Sequence, residues 1–268
     1  MKVILSRKGF DSANGGIPSP IMPDGTMLLM PIPMAEEKVT YSYVQWNGLS
    51  YAELLHQLAP GKEYDKCHLD PDIRDNRIKH VKNWVPAFGQ LGAAQGKLRN
   101  AGIEPGDLIL FFGWFRKTIK TAQGYRFALK EKNDFYAGND LQVIFGYMQI
   151  GEIITDREKI KKYHWHPHAT DVHMRDKNNT LYLPAEKLSF LPSLKGYGTL
   201  DFRKDRVLTK EGCTRATWNE YPFLMPEHIK ANVKNCAKGE GLYYPGIWQE
   251  MVVEESPGLS DWVKEVLR

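Results

Sequence analysis

Short apolar segments, interrupted by glycine and proline along the whole length, dominate the hydrophobic pattern of this chain. Lys2 to Ser6 predicts a first strand, and the apolar run Leu108 to Phe115 predicts a strand buried on both faces. Residues 141–154 predict either a strand pair or one bulged strand with kinks at its glycines. The other predicted elements are short strands over 181–183, 199–202 and 251–253, and helices over 49–59, 87–101, 155–163, 226–237 and 259–267.

This succession of elements favours an α+β class that is rich in strands, with helices segregated from the strands rather than alternating with them. Ser50-Tyr51-Ala52-Glu53 fits a capping box and marks the start of the first helix. Within the helix predicted over 87–101, Gly89, Gly92 and Gly96 each cost ~1 kcal/mol relative to alanine. These glycines therefore predict that another group approaches the backbone closely.

Composition narrows the class of protein without indicating a function. The chain has 268 residues, of which 42% are hydrophobic and 25% charged, so we expect one soluble globular domain over residues 1–268. The formal net charge of +4 is compatible with an acidic partner but does not require one. No apolar run approaches the ~20 residues that span a bilayer, and the first residues turn polar too soon for a signal peptide. Cys67, Cys213 and Cys236 form no CxxC pair, so we expect a cytoplasmic protein without membrane contact.

The loop after the first predicted strand combines cationic, hydroxyl and glycine residues. Arg7, Lys8, the hydroxyl of Ser19 and the glycine N–H groups have the chemistry to hold a phosphate. Asp11 has the chemistry of a general base or a metal ligand. The order of residues is not that of a P-loop. The alternative is a surface loop whose glycines and prolines only shape a turn.

A second candidate site is His68-Leu69-Asp70-Pro71-Asp72. On an extended segment the side chains of His68, Asp70 and Asp72 point the same way, which permits a divalent cation site or a general base. The alternative is a solvated acidic turn in which Asp70 precedes the proline, and the local pattern favours this turn.

A third candidate lies between residues 164 and 173, where four of the eight histidines occur. His166 and His168 form an HxH pair and are candidate zinc ligands. The spacing to the next aspartate does not match the facial triad of iron oxygenases. The local pattern instead favours a surface loop whose histidines stack on aromatic rings.

Two further segments are compatible with a nucleotide ligand. A basic stretch from Arg116 to Lys132, with interleaved aromatics, follows the apolar strand at Trp114. Cations track phosphates and aromatic faces stack on bases, but a solvated hairpin tip explains the pattern equally well. Gln249 and Glu250, in an aromatic setting, fit either a pocket wall or an exposed turn.

Several short motifs occur in order along nearly the whole chain, namely Ile4 to Asp11, Gly16 to Pro20, Pro31 to Pro33, His68 to Asp72, Gly106 to Leu108, Phe111 to Arg116, Phe145 to Tyr147, His166 to His168, Leu181-Tyr182, Leu208-Thr209, Trp218 with Pro222, and Gln249-Glu250. Together they resemble the nucleotide modification associated domain 3 family. The resemblance implies a part in modifying bases in DNA or nucleotides, without specifying the reaction. Its partners would be nucleotides or nucleic acid, DNA rather than RNA, and other components of a modification system.

A weaker resemblance concerns the middle of the chain, roughly residues 100–190. Gly106-Asp107 before an apolar strand and the segment Val143 to Ile153 are similar to PUA-like domains of the ASCH and EVE kind. This resemblance implies a PUA-like β-barrel with peripheral helices and a pocket that grips a single base, often a modified one.

Two function hypotheses follow. The first is an enzyme that modifies a nucleobase or nucleotide, with a divalent metal as a candidate cofactor. Its catalytic candidates are Asp11, His68, Asp70 and Asp72, and its nucleotide or phosphate ligands are Arg7, Lys8, Ser19, Trp114, Arg116, Gln249 and Glu250. The alternative is a reader that binds a modified base without changing it, and a purely structural component ranks last. Convergence of Arg7, Asp11, His68, Asp70 and Gln249 on one cleft would favour the enzyme.

Overall fold

The computed structural model describes residues 1–224, 242–244, 246 and 249–268. The helix predicted over 226–237, together with Cys236, lies outside the described residues. The strands are β1 (Val3–Arg7), β2 (Ser19–Ile21), β3 (Ile32–Pro33), β4 (Gln45–Trp46), β5 (Leu49–Ser50), β6 (Cys67–His68), β7 (Phe88–Gln90), β8 (Leu108–Thr121), β9 (Gly124–Phe127), β10 (Leu141–Ile154), β11 (Thr180–Pro184), β12 (Tyr197–Thr199), β13 (Thr217–Trp218), β14 (Leu242–Tyr243) and β15 (Glu250–Val253). The α-helices are α1 (Tyr51–Leu58), α2 (Gly92–Asn100), α3 (Arg157–Ile160), α4 (Asp171–Met174) and α5 (Leu259–Leu267).

A nine-stranded sheet, curled into a half-barrel, forms the centre of the molecule. Its main path runs β15-β1-β8-β10-β11-β7, with β2 and β9 paired to β8 and β12 paired to β10. The first strand is parallel to β8 and antiparallel to β15, so the two ends of the chain lie side by side. The strand-rich α+β class predicted from the sequence is confirmed.

The curl of the sheet has a local cause in β10. This element is one bulged strand, in which the register with β8 shifts between Ile144 and Gly146 and the register with β11 shifts between Ile150 and Glu152. Each bulge bends the strand and increases its twist. A Cβ on Gly146 would lie 2.6 Å from Ile73 and 3.0 Å from a backbone carbonyl, so the glycine permits close packing across the bend.

Apolar side chains of the sheet and of α5 form the principal core. A second apolar cluster packs α1 against the N-terminal loops, and it buries Leu54, Leu55 and Leu58 on one face of that helix. The capping box predicted at Ser50 is present, with its hydroxyl accepting from Glu53 and the Glu53 carboxylate accepting from the Ser50 N–H. The described residues contain no helix of the length and apolarity that crossing a membrane requires.

The prediction of a helix over 87–101 is wrong for the first third of that range. Residues 88–90 form strand β7, which pairs with Thr180–Tyr182 of β11, and the helix begins only at Gly92. Phe88 explains the difference, because its ring is fully buried between Phe111 and Tyr182, at centroid distances of 5.3 and 5.4 Å. Tertiary packing of that ring overrides the helical spacing of the apolar positions.

Other element boundaries also differ from the sequence pattern. The buried strand β8 continues to Thr121 and forms a hairpin with β9, so the basic stretch begins within a strand. The strand predicted over 199–202 begins at Tyr197 instead, and the short helix predicted over 155–163 ends at Ile160. The sheet takes strands from both ends of the chain and is not confined to residues 100–190. The likeness to a PUA-like barrel therefore stays a prediction.

Candidate functional site

A cavity of about 420 Å³ opens where β1, β6, β7 and the start of α2 meet. Arg7 and Lys8 reach it from the end of β1, and His68 and Asp70 reach it from β6 and the residues that follow. Asp11, Gln249 and His168 complete the candidates that the sequence singled out around this cavity. Its wall also includes Gln90 and His173. The five residues whose convergence was the test of the enzyme hypothesis therefore line one cavity.

Asp70 provides a buried carboxylate at this cavity. Its Oδ1 accepts the Gly89 N–H at 2.7 Å and lies 3.3 Å from Nε2 of His166, while its Oδ2 lies 4.0 Å from the Lys8 ammonium. Burial raises the pKa of Asp70, but His166 and Lys8 together lower that pKa more, and it lies well below its usual range. Asp70 is therefore an ionised carboxylate, and the solvated turn that the local pattern favoured is wrong.

Glu37 joins two histidines that are distant in the sequence. Its Oε1 lies 2.7 Å from Nδ1 of His68 and 2.8 Å from Nε2 of His173. Burial raises the pKa of Glu37, and the hydrogen bonds with His173 and His68 outweigh this effect and lower it to about 2. Sequence reasoning missed Glu37, because it stands in a short loop after β3 with no motif around it. Only the pairing of β3 with β6 brings that loop beside His68.

His168 is held in one orientation by its neighbours. Its Nδ1 lies 2.6 Å from Oδ1 of Asn179, whose amide group in turn donates to the His168 carbonyl at 2.9 Å. Its ring stacks on that of His173 at 5.0 Å, and on the other side it lies against the backbone of Gly89. Burial lowers the pKa of His168 well below its usual value, so the ring is neutral. Since Nδ1 donates to an amide oxygen, Nε2 carries the lone pair.

The local pattern favoured a surface loop for the histidine-rich segment, and this prediction is wrong for three of its four histidines. His166, His168 and His173 are buried, and only His164 is exposed. Of the two candidate metal ligands in the HxH pair, His168 lines the cavity, whereas His166 lies behind Asp70. The expectation of a close approach to a glycine backbone is confirmed at Gly89, since a Cβ there would lie 2.6 Å from Nε2 of His168.

Glu250 connects the C-terminal strand to the wall of the cavity. Its Oε1 accepts from Ser6 at 3.0 Å, from Lys8 at 3.3 Å and from Gln90 at 2.6 Å. Its Oε2 is buried and has no hydrogen-bond partner among the described residues. Burial raises the pKa of Glu250, and the charge of Lys8 offsets that effect only in part. Lys8 thus lies between two carboxylates, those of Glu250 and Asp70.

Arg7 and Asp11 form an ion pair of 3.0 Å at the rim of the cavity. The Asp11 carboxylate also accepts the N–H groups of Ala13 and Asn14, which braces the loop. Burial raises the pKa of Asp11, but the bonds from Asn14 and Arg7 lower it to below its usual value. The Nε of Arg7 is buried without a hydrogen-bond partner among the described residues.

A neighbouring cavity of about 320 Å³ shares Arg7 and Asp11 with the first. Trp114 lies in this second cavity, with the Arg215 guanidinium over its ring at 3.7 Å from the centroid. Tyr244 completes an aromatic and cationic lining. The candidate base-stacking residue is therefore in an adjoining space and not in the cavity that contains the histidines.

Five predicted site residues line neither cavity, namely Glu250 and His166, described above, and Asp72, Ser19 and Arg116. The buried guanidinium of Arg77 donates to both carboxylate oxygens of Asp72, at 2.7 and 3.1 Å. This ion pair compensates two charges inside the core. The Ser19 hydroxyl is buried and accepts the Met30 N–H. Arg116 pairs with Asp140 at 2.6 Å. The expectation that Asp72 faces the same way as His68 and Asp70 is therefore wrong.

Comparison with known proteins agrees with the resemblance read from the motifs. Residues 2–251 match the nucleotide modification associated domain 3 family. The match covers most of the chain, and the protein belongs to this family. No curated protein and no solved structure matches the chain.

Proposed function

We propose that the protein is an enzyme that modifies a nucleobase or a nucleotide bound in the 420 Å³ cavity. One observation carries the proposal: three segments that are far apart in the sequence, with Arg7 and Asp11, His68 and Asp70, and Gln249, line this single space. A volume of this size lies within the range of small-molecule sites, roughly 300–1,000 Å³. Membership of a family associated with nucleotide modification supports the same class of substrate.

The phosphate of the substrate would bind on the side of the cavity formed by Arg7 and α2. The first residues of α2, Gly92, Ala93 and Ala94, line the cavity, and no acidic residue occupies the first turn of that helix. The N–H groups at a helix N-terminus carry partial positive charge and attract anions. Arg7 adds a full positive charge at the wall of the cavity. A phosphate here would compete with Asp11 for the guanidinium.

The reacting part of the substrate would face the histidines and Asp70. Buried titratable groups with shifted pKa values are typical of acid–base sites and metal-ligand sites. Asp70 is ionised and His168 is neutral, so each presents an unprotonated acceptor to the substrate. A base within DNA would reach this depth only after it leaves the helical stack. We therefore propose that the substrate is a free nucleotide or an unpaired base, and that the nucleic acid carrying such a base is DNA.

The test is turnover measured by mass spectrometry. The full chain is incubated with free nucleotides and single-stranded DNA, unmodified and base-modified, with and without Mg²⁺, Fe²⁺ or Zn²⁺. We expect a mass change in one substrate class, at least about a hundredfold slower in Asp70→Asn. Asp261→Asn changes an exposed carboxylate on α5 and serves as the control. If no substrate changes mass with any of the ions, the proposed enzymatic function is wrong.

A reader is the second candidate, and the cavity around Trp114 is the observation that favours it. Trp114, Tyr244 and Arg215 form an aromatic and cationic lining, which is the chemistry that holds bases and phosphates. A reader predicts binding of a modified nucleotide that is lost in Trp114→Ala and retained in Asp70→Asn and His68→Ala, because Asp70 and His68 line only the cavity with the histidines. Titration calorimetry with those three variants separates the two functions, because the enzyme requires the cavity with the histidines.

A further inference from the structure

We propose that Glu37, His68 and His173 bind one divalent transition-metal ion at the wall of the 420 Å³ cavity. Candidate ligand atoms of these three side chains all lie within 4.8 Å of one another. The Oε1 of Glu37 is 2.7 Å from Nδ1 of His68 and 2.8 Å from Nε2 of His173. Donors bound tetrahedrally to one ion at ~2.1 Å stand about 3.4 Å apart. The two contacts of Glu37 would each lengthen by roughly 0.6–0.7 Å to reach this spacing.

The buried carboxylates around the cavity outnumber the ammonium groups near them, and a cation would compensate the excess negative charge. Glu37, Asp70 and Glu250 are buried carboxylates, with 3%, 6% and 2% of their surfaces exposed. Lys8 is the ammonium group that the structure places near two of them, Asp70 and Glu250. Among the described residues, Glu37 forms ion pairs with His68 and His173 and with no lysine or arginine. A buried carboxylate without such a partner is costly unless a proton or a metal ion compensates its charge.

A second set of donors overlaps the first. His68, Asp70 and His168 also place ligand atoms within 4.8 Å of one another. The Lys8 ammonium lies 4.0 Å from Asp70 and repels a cation at that position, and Asp70 Oδ1 already accepts the Gly89 N–H. Neither obstacle applies to Glu37. The ion is therefore assigned to Glu37, His68 and His173, with the His168 ring stacked on that of His173.

The donor set indicates which ions fit. Two imidazole nitrogens and one carboxylate oxygen suit Zn²⁺, Fe²⁺ or Co²⁺, whereas Mg²⁺ and Ca²⁺ prefer shells made of oxygen alone. Three protein ligands leave at least one coordination position for water or substrate. His68 and His173 line the cavity, so that open position faces the space where a ligand would bind.

The experiment measures the ion directly and does not depend on turnover. The full chain is dialysed against a chelator, reloaded with Zn²⁺ or Co²⁺, desalted and assayed for metal content by mass spectrometry. We expect one ion per chain, a Co²⁺ absorption spectrum with nitrogen ligands, and a higher melting temperature with metal than without. Glu37→Gln and His173→Gln should each weaken binding by at least about tenfold.

Two neighbouring residues provide matched controls. Glu36→Gln and His164→Gln alter an exposed carboxylate and an exposed imidazole close to two of the ligands in sequence, and both should bind metal as the wild type does. Melting temperatures in chelator show whether each variant is folded. Substoichiometric metal in the wild type, or equal affinity in folded Glu37→Gln, would overturn the proposal. Stoichiometric metal binding without turnover would support the metal site and contradict only the proposed enzymatic function.

Discussion

At the scale of single residues, Gly89 shows how a missing side chain shapes the site. Its backbone is not in the left-handed region, so the glycine is required for space and not for conformation. The His168 ring lies where a Cβ would stand, and the Gly89 N–H donates to Asp70 at 2.7 Å. One glycine thus positions an imidazole and a carboxylate of the cavity.

Gly89→Ala should therefore destabilise the protein by about 2 kcal/mol, because the new methyl group overpacks the His168 ring. Gly96→Ala is the control: it lies in α2 with nothing within 4 Å of its added Cβ, and it should stabilise the helix by up to ~1 kcal/mol. Urea unfolding of both variants measures the two effects. Equal stability of Gly89→Ala and wild type would show that the ring does not rest on this backbone.

At the scale of elements, the long apolar strands and two of the helices follow the sequence pattern closely. The first strand, the start of β8 and the helices α1 and α5 occur where apolar spacing predicts them, and a capping box marks the start of α1. These signals are local, because a capping box needs only residues three apart. Strand β7 is the counterexample, since its pairing with β11 depends on residues some ninety positions away.

The capping box of α1 allows a direct measurement of such a local signal. Ser50→Ala removes the acceptor for the Glu53 N–H, 3.2 Å away, and should cost about 1 kcal/mol of stability. Ser260→Ala replaces an exposed serine within α5 that is not a helix cap, and it should change stability by less than about 0.5 kcal/mol. Thermal or urea denaturation compares the two variants. A loss of similar size in both would mean that the cap contributes nothing specific.

At the scale of the whole molecule, the pairing of the two chain ends completes the cavity wall. Strand β15 lies beside β1, which brings Glu250 to Ser6 and Lys8, and Gln90 reaches the same carboxylate from β7. Three segments that are distant in the sequence thus share one buried acid. Its protonation should be linked to the stability of the entire fold.

The folded-state pKa of Glu250 is raised above its ordinary value of 4.5, so the folded protein binds this proton more tightly than the unfolded chain. Above pH 4.5 the free energy of unfolding should therefore fall as pH rises, by at most about 1.4 kcal/mol per pH unit from this group. In Glu250→Gln this side chain no longer titrates, so the variant should lose this pH-dependent part of the free energy of unfolding. Urea unfolding of wild type and variant from pH 5 to pH 8 measures the difference.

Glu265→Gln, at an exposed position of α5, is the control for this titration and should follow the wild-type pH profile. A stability difference between wild type and Glu250→Gln that is constant over this range would contradict a raised pKa. The absolute cost of the Gln substitution does not enter the comparison, because only its change with pH reports on the proton.

The candidate site was only partly accessible to sequence reasoning. Arg7, His68 and Asp70 carry charged or titratable chemistry in recognisable motifs, and all three line the cavity. Asp72 belongs to the same motif yet faces Arg77 in the core. Glu37 carries no motif and was missed. Alternation along a strand predicts side-chain direction only while the segment remains regular, and this one is irregular between residues 69 and 87.

By itself, the sequence determined the α+β class, the central apolar strands, the helices α1 and α5 and the family to which the chain belongs. These properties depend on composition, local spacing and motifs that persist in order along the chain. The tertiary structure alone decided that Glu37 meets His68 and His173, that His168 is buried against Gly89, and that Glu250 closes the wall beside Lys8. Such contacts join segments whose separation in sequence carries no periodic signal, so only the pairing of strands brings them within hydrogen-bonding distance.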